Sequence, residues 1–226
     1  MPVIDEIREN QAKIKDKGFK YKFKYYVGYY WIPALVIIGI GIFVFSLIHT
    51  MVTAKDSGFT AIFINAAGTP DQEEFTERIG IDTDKYEVLF DSSYYISSDT
   101  ESYDETTYAC IQKFMAVVAS GTADVVLGES DVAAIYFNSE MYADLRDYFT
   151  DEELEALGDK VIWHTPIDTE TGEVIGENYP LAIDVTDAPG LTSVPCFYSD
   201  KVYFCILANT SHPDYVMEFY DYIYEE

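Results

Sequence analysis

From Tyr25 to Ala54 the chain runs for thirty residues without a Lys, Arg, Asp or Glu. The centre of that stretch reads YYWIPALVIIGIGIFVFSLIHTMV. As a helix from Tyr29 to Met51 it would be roughly 34 Å long at the α-helical rise, enough to cross a hydrocarbon core of about 30 Å. Tyr25, Tyr26, Tyr29, Tyr30 and Trp31 gather at its start, where amphipathic rings favour a membrane interface. Pro33 is expected within the opening turns, where a missing N–H costs least. Gly39 and Gly41 are tolerated because lipid offers the backbone no partner other than itself. The chain therefore divides into a tail over 1–27, a spanning helix over 28–52 and a folded domain over 53–226.

The charge split orients the helix. Residues 1–27 hold seven basic side chains against four acidic ones, and 51–226 hold the other seven against 36 acids. Lys20, Lys22 and Lys24 abut the helix on one side and only Lys55 lies close on the other, so the positive-inside rule keeps the N-terminus cytoplasmic and the domain outside the cell membrane. Val52-Thr53-Ala54 resembles the small-residue pattern of a signal-peptide cleavage site. The apolar stretch, however, far exceeds the roughly 7–15 residues of a signal-peptide core, which favours an uncleaved anchor. In the tail, Ile4, Ile7 and Ile14 could share one helical face, and the run FKYKFKYY suits anionic lipid. The overall charge of −26 repels phosphate backbones, which excludes nucleic acid as a partner and leaves the lipid bilayer, a membrane protein or a small solute.

The outer segment reads as one α/β domain. FTAIFI (59–64), YEVLF (86–90), ADVVL (123–127) and VYFCIL (202–207) are nearly continuous apolar runs, as strands buried on both faces require. Helical patterns intervene. DQEEFTERIG (71–80) follows a capping Thr69-Pro70, Ile111, Phe114, Met115 and Val118 share a face before Gly121, and Tyr215, Val216, Phe219, Tyr222 and Ile223 do so after Pro213. Alternation of strand and helix predicts a mostly parallel sheet with helices on both faces. DTETGE (168–173) reads as a turn between extended segments near Val161–Trp163 and Tyr179–Ile183; its glycine comes one position too early for an EF-hand.

The run IQKFMAVVASGTADVVLGESD, followed by YADLRDYFTDEELEAL, resembles the first lobe of bacterial extracellular solute-binding proteins. The closing VYFCILANTSHPDYVMEFYDYI looks like that family's returning strand and final helix. The whole arrangement also resembles single-pass membrane-anchored proteins of Gram-positive bacteria that carry one such acidic lobe. The resemblance implies a periplasmic-binding-protein-like lobe, but only about 40 residues separate the acidic helix from the returning strand, too few for a second lobe. One lobe cannot enclose a small ligand by hinge closure. A lobe that touches a membrane partner, or holds a sugar or peptide weakly, fits better than tight solute capture; an interaction module with no small ligand is the alternative.

In open parallel sheets a ligand site lies beyond the carboxyl ends of the strands. That nominates Asn65 and Gly68 after the first strand, Ser92, Tyr94 and Tyr95 after the second, and Glu129, Ser130 and Asp131 after the third. Ser130 and Asp131 also suit the cap of a helix beginning near Val132. GESDV (128–132) sits where a nucleophile elbow would, and Ser130, Asp187 and His212 have the order of a hydrolase triad, but Val132 replaces the last glycine and no oxyanion loop is recognisable. No HExxH or metal-type Cys/His spacing occurs, and no cofactor is indicated, so the reading is of a protein that binds rather than catalyses. Cys196 and Cys205 could be bridged if their strands align; buried free thiols, with Cys110 and Cys205 in apolar patterns, are the alternative.

Overall fold

The computed structural model describes residues 18–99 and 103–225 and, for Tyr25, Tyr26, Tyr29 and Tyr30, the backbone alone. The Ile4/Ile7/Ile14 stripe and the side chains of the tyrosine cluster thus lie outside the described residues.

Helix α1 (Phe19–Thr53) contains the expected span, and the 23 residues Trp31–Thr53 are long and apolar enough to cross a membrane, with none of their stretch buried in protein. It begins well before Tyr29, taking in the Lys/aromatic run as helix. Pro33 consequently stands in the helix interior, where it deprives the Tyr29 carbonyl of its usual donor. The hydroxyls of Thr50 and Thr53 donate to the carbonyls of Ser46 and His49 at 3.0 and 2.7 Å, so these polar groups are satisfied without water.

Lys55–Glu226 forms a separate unit. Its elements are β1 (Asp56–Ile64), α2 (Gln72–Ile79), β2 (Tyr86–Tyr94), α3 (Glu105–Ser120), β3 (Val125–Glu129), α4 (Ser130–Ile135), α5 (Asp151–Leu157), β4 (Val161–His164), β5 (Tyr179–Asp184), α6 (Pro189–Thr192), β6 (Val202–Ile206) and α7 (Pro213–Tyr224). Caps set the helix limits. Asp71, two residues after the expected Thr69, accepts from the N–H groups of Glu73 and Glu74, and Gly80 ends α2 in the left-handed region. Asp104 and a left-handed Gly121 bound α3, and Thr150 with Glu153 forms a capping box on α5. Helix α4 starts at Ser130 itself, so Ser130 and Asp131 lie in its first turn rather than before it.

The six strands run in the order β2-β1-β3-β6-β5-β4. The sheet is mixed, which corrects the expectation of a mostly parallel one. β1 pairs in parallel with β2 and β3, whereas β3–β6, β6–β5 and β5–β4 are antiparallel. The apolar run of β6 came from burial on both faces of a central strand, and two-sided burial does not require parallel neighbours. Edge position accounts for β2, whose exposed and buried residues mingle.

Strand alternation sends side chains to two cores. Phe59, Ala61 and Phe63 of β1 join Phe75, Leu154, Leu191, Val216, Phe219 and Ile223 under α2, α5, α6 and α7. Ile62 and Ile64 join Phe114, Val118, Val132 and Ala133 under α3 and α4. Helices thus cover both faces. Cys196 lies in the first core and Cys205 in the second, on opposite sides of the sheet, and all three cysteines are free thiols. The bridge between Cys196 and Cys205 is therefore not formed. Burial pushes the Cys196 thiol up to about 11. DTETGE is a turn, as read: Asp168 accepts from the N–H groups of Glu170 and Thr171 at 2.8 Å, and Gly172 takes φ +72°.

Candidate functional site

The chain passes from β1 outward to β2 and then back across to β3, so the reversal point of the parallel trio lies between the carboxyl ends of β1 and β3. Asn65 occupies it. Its φ of +60° is a left-handed conformation that asparagine tolerates better than most residues with a side chain. In that conformation its backbone N–H donates to the Tyr94 carbonyl at 3.0 Å. Its side-chain NH2 donates to the Ile96 carbonyl and to Glu129 Oε2, each at 2.9 Å, and its Oδ1 accepts from the Ile96 N–H at 2.9 Å. One side chain thereby ties together the ends of β1, β2 and β3. Both amide donors are spent inside the protein, and the Asn65–Glu129 bond bridges the ends of β1 and β3 where a ligand would enter.

The other nominated residues separate into buried and exposed. Tyr94 is only 2% exposed; its ring packs edge-on against Phe114 at 6.1 Å, with the Lys113 ammonium 4.2 Å from its centroid. Tyr95 is 59% exposed, and Ser92 is exposed too. Gly68 has open space around its Cα. Ser130 donates its N–H to the Lys201 carbonyl at 3.1 Å, and its hydroxyl lies 3.4 Å from the exposed Asp131.

Because β6 is antiparallel to β3, the loop entering it arrives at the same end of the sheet. Sequence reasoning missed this loop, since a parallel β6 would have placed it at the opposite end. The Cys196 carbonyl accepts from Ala67 N–H at 2.7 Å, Phe197 stacks on Phe63 at 6.3 Å, and Tyr198 is left 85% exposed. The cavity beneath it, lined by Val185, Leu191, Phe197 and Val202, measures about 180 Å³. That is below the roughly 300–1,000 Å³ of small-molecule sites. This end carries the exposed side chains of Ser92, Tyr95 and Tyr198 and a cavity too small for a small-molecule site.

Two polar constellations were not foreseen. Lys113 Nζ donates to Asp91 at 2.9 Å and to the Ser93 hydroxyl at 2.6 Å, clamping α3 to the outer strand. Burial pushes the Asp91 carboxyl up, but hydrogen bonds from Ser93 and Lys113 outweigh it and hold it below the usual carboxylate range. At the other end of β3, the buried Asp124 accepts from the Thr60 N–H at 2.8 Å, from the Thr210 hydroxyl and from His212 Nδ1 at 3.0 Å. A charged residue inside the apolar run ADVVL was the signal for it.

Those contacts disperse the Ser130, Asp187, His212 constellation. Asp187 is paired with Lys160 at 2.7 Å and His212 with Asp124. Asp124 and Ser130 flank β3 at opposite ends, roughly 20 Å apart at the rise of a strand. Among the described residues no group of three or more His, Cys, Asp or Glu side chains is placed to hold a metal ion. No protein-family model, curated protein or solved structure matches this chain.

Proposed function

We propose that this chain is a single-pass protein of the cell membrane, its N-terminus cytoplasmic and its acidic lobe outside, and that the lobe is a solute-binding-like unit serving as an accessory that contacts a membrane partner. The observation that carries this reading is α1, whose 23-residue stretch Trp31–Thr53 is predominantly apolar, uncharged and nowhere buried in protein, followed at once by β1 of the lobe. Left in water, such a surface would be a large uncompensated apolar patch, and lipid removes that cost. Lys20, Lys22 and Lys24 supply the orientation.

The engaged Asn65 side chain favours a protein partner over a solute. With the Asn65 donors engaged and the nearby cavity small, a sugar or peptide would find few free hydrogen-bonding groups. Exposed tyrosines among small polar residues, in contrast, give wide contact area at low entropy cost, as antibody loops do. Photo-crosslinking amino acids placed at Tyr95 and Tyr198 in intact cells should give discrete protein adducts, whereas Tyr108, exposed on α3, should not. Adducts at all three positions alike, or none at Tyr95 and Tyr198, would count against the contact surface.

A further inference from the structure

Helices α5 and α7 flank an open groove of about 260 Å³. Its floor is apolar, formed by Phe149, Leu157, Met217 and Tyr220, and Ala156 forms one bank. Glu153 and Asp221 stand on the rim, and no Lys or Arg lines it. Glu153 is held by the Thr150 capping box, so its position is fixed. The Asp221 carboxylate has no hydrogen bond and no ion pair among the described residues, its backbone carbonyl alone accepting from the Glu225 N–H at 3.1 Å. Arg78 acts on it only through space, being already engaged by Glu218 and Glu225.

Asp221 differs in kind from the other displaced carboxyls. Asp91, Asp104, Asp144, Glu153, Asp168 and Glu225 are all held low by hydrogen bonds. Asp221 is pushed up, by burial first and then by the charge of Glu218, Glu225 and Glu153 against the pull of Arg78. It is a carboxylate short of a cation, next to an apolar trough.

We propose that the α5–α7 groove receives an arginine or lysine side chain from an extracytoplasmic segment of a partner protein, its aliphatic stem on Leu157, Met217 and Tyr220 and its cationic head at Asp221 and Glu153. This rests on the reading that the lobe meets a partner, and it supplies that partner's chemistry. Long basic side chains lay their methylenes on apolar surface while the charge stays at the water's edge. Met217 adapts its shape to what it meets, and Tyr220 is set firmly between Phe149, Phe204 and Tyr224. The volume suits a side chain and falls short of a whole small-molecule site. A domain with 36 acids against seven bases draws basic partners to every face, and the groove adds a specific seat. A second copy has little to offer, because Arg78, Lys85, Lys113, Arg146 and Lys160 are ion-paired within their own lobe and only Lys55 and Lys201 of its seven bases stand outside those pairs.

The test uses the full chain in lipid nanodiscs and a fluorescein-labelled heptapeptide of alternating leucine and arginine, read by fluorescence anisotropy. Asp221→Asn removes the rim charge, and Ala156→Trp fills the groove from an exposed position. Glu170→Gln, on the remote turn, removes the same charge as a control. The first two should weaken binding about fivefold or more and the control by less than about twofold, as expected if a local charge pair and not the general field holds the peptide. Unchanged melting points certify the fold, and Ala156→Trp decides the matter if Asp221→Asn unfolds. Equal weakening by all three overturns the proposal. So does a glutamine-for-arginine peptide that binds as tightly, displacement by spermidine at the same concentration as by unlabelled peptide, or self-association of the chain that Ala156→Trp abolishes. The readout is indifferent to which side of a membrane the lobe occupies, so it can fail while the membrane placement stands, and the reverse.

Discussion

Phe219→Ala should destabilise the lobe by about 3–5 kcal/mol, the range for truncating a large buried aromatic. Phe219 is fully buried at the centre of an aromatic cluster. Its ring centroid lies 5.3 Å from Phe59, 5.3 Å from Phe75 and 5.2 Å from Phe90, with Phe63 at 6.3 Å and Phe204 at 6.4 Å. These rings come from β1, β2, β6 and α2 as well as α7, so no single element can move in to fill the space. For a domain of this size the melting point should fall by roughly 8–15 °C. Phe219→Leu keeps most of the volume and should cost less than half as much. Thermal melting of the full chain in detergent, followed by near-ultraviolet circular dichroism, measures both. A loss below about 1 kcal/mol for the alanine variant would mean that the cluster is not packed as described.

Asp124→Ala should be comparably severe for a different reason. The carboxylate is 1% exposed and accepts from the Thr60 N–H, the Thr210 hydroxyl and His212 Nδ1. It therefore fastens the start of β3 to β1 and to the loop that enters α7. Removing it strands three polar groups, one of them a strand amide, and loss of a buried charged partner costs about 3–5 kcal/mol. Asp124→Asn retains one acceptor oxygen and should recover about half of that loss. Denaturant unfolding gives the energies, and amide hydrogen exchange gives the location: Thr60 should exchange faster in the alanine variant while Ile62, bonded within the ladder, should not. Equal stability of the alanine variant and the parent would contradict the role assigned to Asp124.

Much of this molecule was legible in the residues because two-sided burial writes itself as apolar runs. FTAIFI, YEVLF, ADVVL and VYFCIL became β1, β2, β3 and β6, and the segments around Val161–Trp163 and Tyr179–Ile183 became β4 and β5. Gly121 and Pro213 marked helix ends through local chemistry, whereas the cap of α2 fell at Asp71 and not at the expected Thr69. Direction was not legible. An apolar run is the same read up or down, so the antiparallel course of β6 was hidden, and with it the placement of Tyr198 beside the carboxyl end of β1. The candidate residues lie at or beyond the carboxyl ends of β1, β2 and β3, as read, but what they do to one another was not legible. Nothing in the spacing of Asn65 and Glu129 tells that they bond to each other, because that pairing depends on the left-handed turn at Asn65 and on strand register. Tyr94 and Tyr95 are adjacent in sequence, and the pleat sends one ring into the core and the other to solvent.

The proposed placement of an acidic lobe across a bilayer from a basic tail is tested most directly by a membrane-impermeant maleimide on intact cells. Glu170→Cys puts a thiol on the exposed turn of the lobe, Gln11→Cys puts one in the tail, and the parent chain controls for Cys110. The lobe thiol should be labelled in intact cells and the tail thiol only after permeabilisation. Labelling of the tail in intact cells, or of the lobe only after permeabilisation, would contradict the account.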